Sequence, residues 1–108
     1  MADQINFVTD FDNADDFQLK HTPNIKVIDD GDARSVVVTV GLKGIKHPQT
    51  PEHHIEWVEL YADDVLFGKV EFAVDDADPK AEFDEVPEGA EISAILSCNL
   101  HGLWKATA

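Results

Sequence analysis

Three of the five histidines in this 108-residue chain fall in one short run, His47-Pro48-Gln49-Thr50-Pro51-Glu52-His53-His54. The run leads directly into Ile55-Glu56-Trp57-Val58-Glu59-Leu60-Tyr61, which alternates as a half-buried strand does. Pro48 and Pro51 stiffen the loop, so less conformational freedom is lost when its imidazoles are fixed on a common ligand. A strand anchors the far end of the loop. Alone, the cluster reads equally well as solvated loop histidines or as part of a metal site, because imidazole is the commonest metal ligand.

A second stretch, Cys98-Asn99-Leu100-His101-Gly102-Leu103-Trp104, shifts that balance. A thiolate and an imidazole three residues apart, at the exit of a strand, can share one ion. The turn between them aims the backbone N–H groups of Leu100 and His101 at the sulfur, and such hydrogen bonds tune a metal thiolate. Gly102 allows the chain to turn sharply after the second donor. A lone cysteine is ordinarily a small buried apolar residue. Here it shares the chain with five histidines and no phosphate-binding loop, which weakens the reading as coincidence.

The elements that must position these groups are strands. Asn24–Ile28, Ser35–Val40, Ile55–Tyr61, Val65–Val74, Ala81–Phe83, Glu91–Cys98 and Leu103–Ala106 are short, rich in β-branched residues and separated by Asp, Gly and Pro turns. The unbroken Val36-Val37-Val38 predicts cover on both faces of its strand. Asp63-Asp64 predicts a hairpin between the third and fourth strands. About seven strands and no long helix predict an all-β fold, a compact β-sandwich. Residues 1–18 are acidic, with Phe7, Phe11 and Phe17 spaced along them, and read as an irregular arm containing one short helical turn. Residues 19–108 form the domain proper.

Composition excludes several functions. A formal charge of −14 with 44% apolar residues describes a folded acidic domain, not a nucleic-acid or anionic-membrane binder, both of which need basic patches. One cysteine cannot form an intramolecular disulfide. No apolar run is long enough to span a bilayer, and the first residues lack the basic and apolar pattern of a signal peptide. A cytoplasmic protein is expected.

Three motifs together resemble the superoxide reductases, the family of neelaredoxins and of the iron domain of desulfoferrodoxin. They are Lys20-His21 followed by Pro23, His47-Pro48 through Glu52-His53-His54-Ile55-Glu56-Trp57, and Cys98-Asn99-Leu100-His101-Gly102-Leu103-Trp104. The resemblance implies an immunoglobulin-like β-sandwich holding one non-haem iron (Fe2+/Fe3+). Its ligands would be four imidazoles, from His21, His47, His53 and His101, and the thiolate of Cys98. It implies one-electron reduction of superoxide to hydrogen peroxide opposite the sulfur, with Lys20 as the local cation that attracts the anion. It further implies a rubredoxin-like electron donor and a homodimer or homotetramer. His54 is not a ligand in the matched pattern, and neighbouring residues entering a strand point to opposite faces, so His53 and His54 do not readily reach one ion.

Two departures stand out. Family members commonly carry Glu directly before the Lys–His pair, where this chain has Leu19. The four-cysteine iron site of desulfoferrodoxin is also missing, since Cys98 is the sole cysteine. Ligand chemistry alone leaves other readings open. A blue-copper electron carrier could use Cys98, His101 and one upstream histidine, although Met1 is the only methionine. A structural zinc site needs only Cys plus three His. A metal-free interaction module explains least.

Overall fold

Val36, Val38, Val58, Leu60, Ala94 and Leu96 have no solvent-accessible surface, and all lie on the inner faces of two β-sheets. These sheets are seen in a computed structural model that describes residues 5–7, 12–30, 33–41, 47–74, 76 and 79–108. In chain order the elements are β1 (Ile5–Phe7), α1 (Asp16–His21), β2 (Pro23–Asp30), β3 (Ala33–Val40) and β4 (Ile55–Ala62). They continue with β5 (Val65–Glu71), β6 (Lys80–Phe83), β7 (Ile92–Cys98) and β8 (Gly102–Thr107). One sheet has the order β1-β8-β7-β4-β5 and the other β2-β3-β6. All pairings are antiparallel except β1 with β8. The fold is the all-β sandwich expected, and the seven strands read from the sequence are all present, with ends displaced by no more than three residues.

Alternation explains which residues face inward. On β7, Ile92, Ala94, Leu96 and Cys98 belong to the core, while Ser93, Ile95 and Ser97 occupy the opposite face. The sulfur of Cys98 therefore ends a row of core-facing side chains. On β4 the phase is broken deliberately. Its pairing with β7 shifts register between Ile55 and Trp57, and this bulge brings Ile55 and Val58 into the same core despite their odd spacing. The bulge lies directly after His53 and His54, where the strand meets the histidine loop.

Two expectations are corrected. Val36 and Val38 are fully buried but Val37 is only half-buried. Val37 stands between Lys26 of β2 and Glu82 of β6, both exposed, so the outer face of this sheet meets water. A β-branched residue suits that position through its strand preference alone. The N-terminal segment is also more regular than expected. Ile5–Phe7 pairs with Leu103–Lys105, and the helical turn extends through His21, crossing residue 18. Phe11 lies outside the described residues.

The hairpin at Asp63-Asp64 forms as read. Both residues have positive φ, 50° and 64°, the geometry that matches the twist of paired strands. Further along β5, a Cβ on Gly68 would lie 3.0 Å from Phe83 Cε1 and 3.1 Å from Cδ1, so absence of a side chain lets the two sheets close on each other. Phe83 is itself buried and has little room to move. Gly68→Ala is expected to destabilise the fold by about 1–3 kcal/mol, as overpacking does. Urea unfolding would show a lowered midpoint with unchanged slope.

Candidate metal centre

Three stretches of chain deliver five donor atoms to one place. His21 closes α1, His47 and His53 bracket the loop before β4, Cys98 ends β7, and His101 lies in the turn to β8. One ligand atom from each lies within 4.8 Å of all the others. His21 Nε2 is 3.1 Å from His101 Nδ1 and 3.2 Å from His47 Nε2. Cys98 Sγ is 3.4 Å from His47 Nε2 and 3.7 Å from His101 Nδ1. His54, the fifth histidine, is turned away, and its Nδ1–H donates to the Thr50 carbonyl at 3.0 Å.

The local sequence explains how His21 is held. Asp15 and Gln18 form a reciprocal capping box, in which Gln18 N–H donates to Asp15 Oδ1 at 2.8 Å and Asp15 N–H to Gln18 Oε1 at 3.2 Å. So short a helix cannot persist on its own hydrogen bonds. At its other end Thr22 Oγ–H donates to the Gln18 carbonyl, and Gly41 N–H donates to the Thr22 carbonyl, which ties the helix end to the end of β3.

Carbonyl groups set the imidazole tautomers. His21 Nδ1–H donates to Phe17 O at 2.7 Å, and His47 Nδ1–H to Pro48 O at 2.6 Å. A carbonyl can only accept, so the proton sits on Nδ1 in both rings and the Nε2 lone pair faces the cluster. Burial lowers the pKa of both rings to about 4, with neighbouring imidazoles and Lys20 adding to the effect against the carbonyl bonds. Burial also lowers His53. The rings are therefore neutral at pH 7, as ligands must be. Burial pushes the Cys98 thiol up, while the N–H groups of Leu100 and His101 pull it down.

Lone pairs brought this close, with few protons between them, repel one another unless a cation sits among them. His53 supplies the clearest sign: its Nε2 is buried with no hydrogen-bond partner. Such an atom is costly unless it binds something. Four nitrogens and one sulfur suit a single transition-metal ion.

Residues 13–107 match the desulfoferrodoxin family. The chain belongs to that family. It is 41% identical over 97 residues to the superoxide reductase of Pyrococcus horikoshii, covering 80% of this chain and 83% of that protein. It is 38% identical over 89 residues to a desulfoferrodoxin of Clostridium acetobutylicum, covering 82% of this chain and 62% of that longer protein. Among solved structures, the superoxide reductase from Nanoarchaeum equitans superposes with a TM-score of 0.80 at 32% identity, covering 97% of this chain and 98% of that one.

In this desulfoferrodoxin-family chain the surroundings of the donors include aromatic residues that the sequence did not place at the site. The Trp104 ring stacks on His21 with centroids 4.8 Å apart, and its Nε1–H donates to the His101 carbonyl at 3.1 Å. The Phe17 ring meets His21 at 4.6 Å and His101 at 4.8 Å. Trp104 stood in a recognised motif, and Phe17 could have been found only from its helical spacing to His21. Lys20 Nζ lies 5.6 Å from the centre of the Phe17 ring. Its positive charge lowers the pKa of His21, His47, His53 and Cys98 alike, so its field reaches four of the five donors. Leu19 is 5% exposed and carries no atom that could ligate.

The histidine shifts set a pH dependence for the metal-free protein. Unfolded imidazoles take up protons near pH 6.5, whereas folded His21 and His47 do so only at about 4. Between these values the unfolded state binds more protons, so stability rises with pH and falls on acidification. The metal-free protein should lose melting temperature from pH 6.5 to 4, and His21→Gln should show a shallower loss. Equal slopes for the two proteins would contradict this assignment.

Proposed function

We propose that this chain is a superoxide reductase, converting superoxide, one electron and two protons into hydrogen peroxide. The observation that carries the reading is the convergence of four imidazoles and one thiolate in a desulfoferrodoxin-family fold. His21, His47, His53, His101 and Cys98 hold one iron, which supplies a one-electron ferrous–ferric couple when bound. A trigonal copper site or a four-donor zinc site would use fewer donors than the five that converge here. Family membership selects iron, because bare ligand affinity would favour copper or zinc.

The chain's own groups account for the rest. The N–H groups of Leu100 and His101 stabilise negative charge on Cys98 Sγ. Lys20 is the catalytic cation. Superoxide is an anion approaching a protein of charge −14, and a local positive charge beside the donors offsets that field. Leu19 offers no carboxylate in the position where relatives commonly carry Glu.

Residues 19–108 are the iron-holding domain and residues 1–18 an acidic arm that braces it through β1 and the start of α1. An external one-electron donor, rubredoxin-like in chemistry as the resemblance implies, completes the cycle. No helix among the described residues is long and apolar enough to cross a membrane. Val65, Leu66 and Phe67 are exposed on β5, an edge strand, and offer a surface for homodimer or homotetramer assembly.

Metal analysis should find one iron per chain. Cys98→Ser should abolish the thiolate-to-iron colour and His54→Ala should leave it; the reverse pattern would refute the ligand assignment. Lys20→Ala should slow the encounter with superoxide and flatten its salt dependence, as loss of steering requires. Pulse radiolysis across ionic strengths measures this, and an unchanged rate at low salt removes Lys20 from the mechanism.

A further inference from the structure

His21 and His47 are each steadied by a carbonyl on the ring's outer nitrogen, but His53 Nε2 is buried with no hydrogen-bond partner among the described residues. Its aim must come from its backbone. Two side-chain amides fix that backbone. Gln49 accepts from Ile55 N–H at 2.9 Å and donates to Ile55 O at 3.0 Å, pairing with Ile55 as a neighbouring strand would. It also donates to Ala73 O at 3.1 Å, beyond the end of β5. The loop from 49 to 55 is thereby closed onto a residue whose own side chain is locked in the core. Within it, Thr50 and His53 exchange backbone hydrogen bonds at 2.9 and 3.1 Å.

Asn99 grips the same loop from outside. Its Oδ1 accepts from His54 N–H at 2.8 Å, and its Nδ2–H donates to Glu52 O at 3.0 Å. Its backbone N–H donates to His54 O at 3.1 Å. These bonds fall on the residues immediately before and after His53. Asn99 itself follows Cys98 and lies two residues before His101. One amide thus links three donors carried by two separate pieces of chain.

We infer that Gln49 and Asn99 are positioning residues that splint His53 into the metal site and lock its loop to the Cys98–His101 turn. The inference rests on the metal reading above. Loss of either amide leaves all five donors in the chain but frees the loop around His53, whose buried Nε2 has no hydrogen bond to orient it. Residues that orient metal ligands typically change metal affinity by roughly 10–100-fold when removed.

The test uses the full chain loaded with iron, oxidised to the ferric form and challenged with excess EDTA, following metal loss and the thiolate-to-iron absorption band. Gln49→Leu and Asn99→Leu should release iron roughly 10–100-fold faster than the parent and shift the band. Gln49→Glu and Asn99→Asp keep the acceptor oxygen but lose the donor, and should fall between, which also covers failure of the leucine variants to fold. Arg34→Ala is the control: Arg34 donates to Asp29, Pro87 and Ala90, away from the donors, so it should lower melting temperature without faster release. Release within twofold of the parent in all four amide variants overturns the inference while leaving the metal reading intact. So does equal acceleration by Arg34→Ala. A parent that takes up no iron overturns both.

Discussion

Five lone pairs held within 4.8 Å of one another are the constraint on which the rest of the structure depends. Without a cation this arrangement is unfavourable, because closely spaced acceptors repel and the buried His53 Nε2 has no hydrogen-bond partner. The fold must therefore be stable enough to impose the arrangement before any metal arrives, or else gain the metal's binding energy as folding energy. The sandwich takes the first course in part. Cys98 is the last residue of a row whose earlier members, Ile92, Ala94 and Leu96, are core. Trp104, stacked on His21, also belongs to that core. The metal site is thus one end of the hydrophobic core rather than an attachment to its surface.

The parts outside the strands are held by polar contacts, each with a local cause. The six-residue helix survives because Asp15 and Gln18 satisfy its first N–H groups and because its end is tied to β3. The histidine loop has few backbone hydrogen bonds of its own and depends on side-chain amides. Burial keeps His21 and His47 neutral, while the carbonyls of Phe17 and Pro48 decide which of their nitrogens faces inward. Electrostatics then works on two scales. The whole chain is strongly negative, and within that field the Lys20 ammonium group acts on four of the five donors.

Strands were legible in the sequence because alternation and β-branching report directly on a half-buried pleated surface. The convergence of the five donors was legible because their motifs are long and specific. What escaped was long-range and polar. Nothing in the spacing of Gln49 shows that its amide would pair with Ile55, since five residues of loop separate them. Asn99 sat inside a recognised motif, yet its partners lie 45 and 47 positions away. The strand β1 was hidden by its brevity: Ile5–Phe7 is three residues, too few for a period to show, and its partner is at the opposite end of the chain. Val36-Val37-Val38 misled for a different reason, because strand preference and burial both select valine and the sequence cannot separate them.

That short first strand has a consequence for behaviour in crowded solution. Without it, β8 would present a bare row of backbone donors and acceptors immediately beyond His101, a template on which other chains could lay themselves. Parallel pairing with residues 103–105 occupies that row, and the Asn6 side-chain amide adds a further bond to the Leu103 carbonyl. The edge transferred outward to β1 is only three residues long, too brief to guide another sheet into register. The N-terminal segment therefore works as a guard against unwanted self-association, placed where a misjoined neighbour would cover the turn that carries His101.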